Sequence, residues 1–270
     1  MSPNVIRLGQ ATDTGLLRRS NEDAVLALPL PDAACGTAGP AALYALADGM
    51  GGCDEGEVAA TLALSALAGY VSARLGETGG RETAAAAGPQ QAERVLRDAV
   101  GEANRQVCAS RTARQNDMGT TLVALLVGGD RACVVNVGDS RAYLFRGGTL
   151  RRLTTDHSLV ATMVAAGLIT PDEVYTHPQR NIITRSLGAR AEVEADAFQI
   201  EVRPGDTLLL CSDGLWEMAR DPEIAAVLTA APNPQSAADA LVSLANRNGG
   251  ADNISVMVVQ IAEGRGKTAR

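Results

Sequence analysis

Acidic residues recur at five points spread over most of this chain, four of them with glycine close by, and each point adjoins an apolar run of strand length. The motifs are Arg18-Arg19-Ser20-Asn21-Glu22-Asp23, Asp48-Gly49-Met50-Gly51-Gly52, Gly138-Asp139-Ser140-Arg141, Ser212-Asp213-Gly214-Leu215 and Gly250-Ala251-Asp252-Asn253. Leu43 to Ala47 precedes Asp48, Val134 to Val137 precedes Asp139, Leu208 to Cys211 precedes Asp213, and Ile254 to Ile261 starts just after Asp252. Acids set repeatedly at strand ends can converge on one point. Converging carboxylates repel strongly unless cations lie between them. The simplest reading is an all-oxygen site for two or more hard divalent metals. One Asp-Gly pair is an ordinary turn signal; the meaning lies in the set.

Composition narrows the alternatives. A net charge of −7 argues against a nucleic-acid or anionic-membrane partner. Among the five cysteines there is no C-x-x-C pair, and the only histidines are His157 and His177, so a structural zinc site is not expected. Cys108, Cys133 and Cys211 read as small core residues. Cys53 reads as a buried spectator, since nothing nearby lowers its pKa. Residues 1–10 lack the apolar core of a signal peptide. The uncharged run Val58 to Ala73 contains Thr61, Ser65, Gly69 and Ser72 and reads as an amphipathic helix, too short and polar to span a membrane. A cytoplasmic monomer is expected, folded as one domain over residues 1–264 with a flexible tail at 265–270.

Strands are expected at Val5 to Ala11, Ala24 to Leu28, Thr120 to Val127, Ala132 to Val137, Arg141 to Arg146 and Thr149 to Leu153, besides those adjoining the motifs. Pro29 to Pro40 reads as a hairpin connection, and Gly76 to Pro89 as a low-complexity insert. Helices are expected at Glu55 to Arg74 and Gln91 to Ser110, the second with Leu96, Val100, Ala103 and Val107 on one stripe. Ser158 to Ala166 and Pro171 to Tyr175 read as short helices, the latter opened by a Thr170/Glu173 capping box. Asp221-Pro222 and Asn233-Pro234 open two more by the same cap-then-proline logic. Strands in runs, interrupted by helix pairs, indicate an α+β fold with antiparallel sheets.

In their order, and together with Met118-Gly119-Thr120-Thr121, these motifs resemble those of the PPM family of metal-dependent protein phosphatases, type 2C, from about residue 7 to residue 262. Asp-Gly-Met-Gly-Gly in place of Asp-Gly-His-Gly-Gly gives the resemblance a bacterial flavour. It implies a four-layer αββα sandwich of two antiparallel sheets flanked by helix pairs, with the metal site at one sheet edge and a flap subdomain at about 156–190. It implies Mn or Mg, two ions in the core site and a third beside them. Asp48 would bridge two ions, Asp213 and Asp252 would complete the first, and Glu22 and the Gly49 carbonyl would hold the second. Asp23 would order waters around them, and Asp139 with Asp213 would take the third.

Arg18 would clamp the phosphate, its fork binding two oxygens, with Arg19 as the alternative. Arg141 reads as a structural ion-pair partner. The implied reaction is hydrolysis of phosphoserine or phosphothreonine by a metal-bridging hydroxide, with no phosphoenzyme. Met50 cannot donate the proton that the leaving alkoxide needs. His157, which Asp156 could pair, and His177 both read as structural. The implied substrates are phosphorylated proteins of a Ser/Thr kinase pathway. The alternatives are a catalytically silent phosphoprotein-binding module, or a phosphatase of an anti-sigma-factor antagonist. A silent relative would be expected to lose ligands, and all of them are present.

Overall fold

A computed structural model describes residues 4–32, 40–51, 55–75 and 89–264. Cys35, Gly52, Cys53, most of the 76–89 insert and the 265–270 tail lie outside the described residues.

Two antiparallel sheets form the centre. The first has the order β1 (Val5–Asp13), β11 (Ile254–Ala262), β10 (Thr207–Cys211), β7 (Arg141–Arg146) and β8 (Thr149–Arg152). The second runs β2 (Asp23–Leu30), β3 (Ala41–Met50), β5 (Leu122–Gly128), β6 (Arg131–Val137) and β9 (Asp196–Glu201), with β4 (Gly119–Thr120) pairing the end of β3. The helices are α1 (Glu55–Leu75), α2 (Pro89–Arg114), α3 (Leu159–Ala165), α4 (Asp213–Trp216), α5 (Asp221–Ala230) and α6 (Pro234–Arg247).

The strands read as unbroken apolar runs because both faces of each sheet are covered. Along β3, Ala42, Tyr44 and Leu46 face the other sheet and pack with Leu208, Leu210 and Met257. The alternating residues Leu43, Ala45 and Ala47 face α1 and α2. On the far side Leu209, Cys211, Val256 and Val258 meet α4, α5 and α6. Three apolar layers therefore separate four structural ones, as the resemblance implies. With both sheet faces dry, only the strand ends can present polar groups to a ligand.

α1 buries Ala59, Ala60, Ala63, Leu64, Leu67 and Val71 against the second sheet and α2. By length and composition α1 also passes for a membrane span, as apolar core helices do, but the residues it buries pack it into the core. Here its alanine-rich stripe lets it approach the sheet closely. Leu96, Val100, Ala103 and Val107 of α2 are buried, as the stripe requires.

Local signals hold with two adjustments. Asn233 caps α6, its side chain accepting from Ser236 N–H at 2.9 Å. Pro171–Tyr175 is a 3-10 helix, with Thr170 donating its backbone N–H to Glu173 at 2.7 Å. In α5 the cap position falls on Arg220 and Asp221 is the first helical residue; Glu223 accepts Arg220 N–H at 2.9 Å. The Glu223 carboxylate thus serves the helix start in place of an Asp221 cap.

Candidate active site

The acids gather at one end of the two sheets. Asp23 opens β2 directly opposite Asp48 in β3, and side chains so placed in an antiparallel pair are immediate neighbours. Thr120 and Thr121 pin Asp48 by its backbone. Asp48 N–H donates to Thr121 Oγ1 at 3.0 Å, and Thr121 N–H and Thr120 Oγ1 both donate to the Asp48 carbonyl at 2.9 Å. Thr121 Oγ1 also bonds Ser140 Oγ at 2.7 Å, tying the third motif to the second.

Gly49 donates its N–H to the Glu22 carbonyl at 3.2 Å. A Cβ on Gly49 would strike the Gly56 backbone and that same carbonyl, so only glycine lets the strand end come this close. Gly56 in turn leaves room for the Glu22 carboxylate.

Asp213 is the first residue of α4, directly after β10. The preceding Ser212 donates its hydroxyl to Asp23 Oδ2 at 2.8 Å and accepts Ser255 N–H at 2.9 Å. A side chain at Gly214 would overlap the Asn253 carbonyl. Asn253 works on the opposite bank: it accepts Glu22 N–H at 2.9 Å and donates to the carbonyls of Thr14 and Ser20, each at 2.9 Å. One amide side chain thereby fixes the loop that carries Arg18, Glu22 and Asp23.

The electrostatics match a cation site. Burial raises the pKa of Asp48 and of Asp213 well above the usual carboxylate value. Neighbouring acids add to it, Asp23, Asp213, Asp139 and Asp252 for Asp48, and Asp139 and Asp252 for Asp213. Burial pushes Asp23 up to about 6 against the bonds from Ser255 and Ser212. Asp139 rises to about 7, through burial first and then the Asp156 charge. Among the described residues, one oxygen each of Asp23, Asp139 and Asp213 is buried without a hydrogen-bond partner. Buried acceptors are rarely left so, and three on adjacent carboxylates fit hard cations. No group of three His, Cys, Asp or Glu among the described residues closes into a finished cage. Asp252 is turned to Arg18.

Arg18 NH2 lies 2.6 Å from Asp252 Oδ2, with more than half of its side chain exposed. It also feels the charges of Asp213 and Asp48. Arg19 is exposed, with no hydrogen bond or ion pair to any described residue. The structure therefore brings Arg18, and not Arg19, to the acids.

Arg141 is the structural partner expected. It forms a fork on Asp156 at 2.6 and 3.0 Å, with both side chains under 5% exposed (3% and 4%), and it lies 3.6 Å over the Trp216 ring. That pairing corrects the expectation for Asp156, which does not pair His157. His157 Nδ1 accepts Gly138 N–H at 3.1 Å while Nε2 faces Asp196 at 3.3 Å. Burial and then Arg185 lower its pKa. His177 makes a local bond, accepting Gln179 N–H at 3.2 Å.

Ser212, Asn253, Thr121, Ser140 and Trp216 were given no role from the sequence. All but Trp216 lie within the quoted motifs; that polar identity beside the acids was the available signal. Trp216 Nε1 donates to the Asp139 carbonyl at 3.0 Å, a role only the fold reveals.

Residues 19–246 match the family model described as protein phosphatase 2C. The chain is 37% identical over 251 residues to serine/threonine phosphatase stp of Listeria welshimeri, covering 92% of this chain and 93% of that protein. The crystal structure of the Mycobacterium tuberculosis serine/threonine phosphatase PstP/Ppp superposes with a TM-score of 0.80 at 38% identity, over 95% of this chain and 99% of that one. The catalytic domain of serine/threonine protein phosphatase PstP in complex with two manganese ions gives 0.79 at 38% identity, over 96% and 99%. With acids at the sheet ends and relatives matching along nearly its whole length, this chain belongs to the protein phosphatase 2C family.

Proposed function

We propose that the chain is a Mn- or Mg-dependent phosphatase of phosphoserine and phosphothreonine in proteins, acting opposite a Ser/Thr kinase. The observation that carries this is the set of unpartnered, buried carboxylate oxygens beside Arg18. Asp48 sits centrally, within electrostatic reach of Asp23, Asp213, Asp139 and Asp252, and would hold two ions. Asp213 and Asp252 would complete one, Glu22 and the Gly49 carbonyl the other, and Asp139 with Asp213 a third. Divalent ions there acidify water and offset the charge of phosphate oxygens. Asp23, held by Ser212, would order the water around them. Arg18 would bind the phosphate, its planar fork suited to two oxygens, with Asp252 held by a cation instead of by Arg18. His157 and His177 make other contacts, so water at the metal site would be the source of the leaving alkoxide's proton.

The test is phosphate release from a phosphothreonine peptide with Mn, with Mg and with chelator, on the native chain and on Asp213→Asn. Release that needs the metal and is lost in the variant, with the fold retained, is expected. No release despite calorimetric metal binding would favour the silent regulatory module.

A further inference from the structure

We propose that His157 is a positioning residue for Asp139: its ring, held in one tautomer by Asp196, fixes the Gly138 peptide and so aims the Asp139 carboxylate at the ion it would share with Asp213. The inference rests on the reading of Asp139 and Asp213 as ligands of a third ion.

Gly138 has φ +108°, a conformation open to glycine, and a Cβ there would strike the Thr121 side chain. A residue so free to turn needs neighbours to hold it. Gly138 N–H donates to His157 Nδ1 at 3.1 Å, and the Gly138 carbonyl accepts His157 N–H at 2.9 Å. Asn136 Nδ2 gives that carbonyl a second bond at 3.2 Å. The Gly138 carbonyl belongs to the peptide unit that ends at the Asp139 nitrogen. His157 therefore grips both sides of the turn that carries the carboxylate, and Trp216 holds the next carbonyl along.

Nδ1 accepts a hydrogen bond only when it carries no proton, and a neutral imidazole then keeps its proton on Nε2. Nε2 lies 3.3 Å from Asp196 Oδ2, the acceptor that this tautomer requires. The other Asp196 oxygen accepts Arg185 NH1 at 3.1 Å. Arg185 NH1 is also 3.1 Å from Nε2, and a guanidinium that close opposes a second proton on the ring. Burial acts in the same direction. An acid on the outer edge strand thus reaches the cluster through one buried imidazole and one backbone amide.

The chain has two histidines, so the two rings can be told apart with one variant. Nitrogen-resolved NMR of the imidazoles, in chelator at neutral pH, should show the His157 proton on Nε2; a proton on Nδ1 would overturn the proposal. Calorimetric titration with Mn alone then compares variants whose thermal transition shows them folded. His157→Phe keeps a ring but removes the acceptor, and should weaken the weakest Mn by about 10- to 100-fold, as loss of an outer partner does, while the tighter ions stay in place. His157→Asn sets Oδ1 where Nδ1 was and should restore near-native affinity. Asp196→Ala, at a position 45% exposed, should weaken the same ion without disturbing the core. Native affinity in His157→Phe, equal loss in His157→Asn and His157→Phe, or native affinity in Asp196→Ala would each overturn the proposal, the last even if His157→Phe failed to fold. Asp139→Asn is the control. If it removed the weakest Mn while His157→Phe and Asp196→Ala did not, only this inference would fall; if it left every Mn in place, the third-ion reading would fall and this inference with it.

Discussion

Replacing Asp156 by alanine tests how the site is supported from behind. Arg141 bonds Asp156 through Nε at 3.0 Å and NH2 at 2.6 Å, and both side chains are essentially out of water. Without Asp156, Arg141 keeps only the Tyr143 hydroxyl at 3.2 Å and the Trp216 ring face. Removing one partner of a buried pair costs about 3–5 kcal/mol, since the other charge is stranded. That corresponds to roughly a 150- to 5,000-fold shift toward the unfolded state. Arg141→Met is expected to cost about 1–2 kcal/mol less, because Asp156 retains Arg152 at 3.2 Å from a side chain in contact with water. The double variant strands no buried guanidinium and should be more stable than Asp156→Ala alone. Urea unfolding read by circular dichroism gives all the free energies without relying on the indole that Arg141 covers. If the double variant lost as much as the two single changes added together, the charges would be acting independently and the reasoning would fail.

Three further outcomes follow from the site. In chelator, Asp23 and Asp139, whose pKa values are raised to about 6 and about 7, keep protons that the unfolded chain releases near 3.8. Stability should therefore fall as pH rises through that window; Mn should raise Tm more at pH 7.5 than at 5.5, and a chelated protein whose Tm climbed from 5.5 to 7.5 would contradict this. Gly214→Ala places a methyl group on the Asn253 carbonyl, so both Tm and phosphate release should drop, and an unchanged Tm would mean that the contact relaxes freely. Arg18→Ala should raise KM for a phosphopeptide at least tenfold while calorimetric Mn binding persists; unchanged kinetics would return the phosphate to Arg19.

The strands and main helices were legible because their patterns are long. Leu43 to Ala47 and Leu208 to Cys211 are short apolar runs followed by an acid and a glycine, a pattern that reads as strands buried on both faces, and α2 carries four residues of one stripe. The acids were legible because glycine and aspartate repeat at strand ends. Other parts left no readable period. α4 is four residues long, too short for helical spacing to register. β9, an edge strand whose residues are only partly buried, follows an irregular stretch and begins with an acid that serves His157 and Arg185. The partner of Asp156 was misread because adjacency in sequence suggested His157, whereas Arg141 reaches Asp156 from a neighbouring strand. Pairing across the fold has no local signature.

The anchors of the acidic cluster join segments that are far apart in sequence. Asn253 holds Glu22 across 231 residues, and Arg18 meets Asp252 across 234. At a synthesis rate of about 5–20 residues per second, roughly 12–46 s separate the emergence of these partners from a ribosome. Throughout that interval the loop bearing Arg18 and Glu22 lacks its Asn253 and Asp252 anchors, and β1 has no β11 to pair with. Competence in this protein therefore arrives with β11: a nascent chain that stops short of Asp252 and Asn253 cannot strip phosphate from its neighbours.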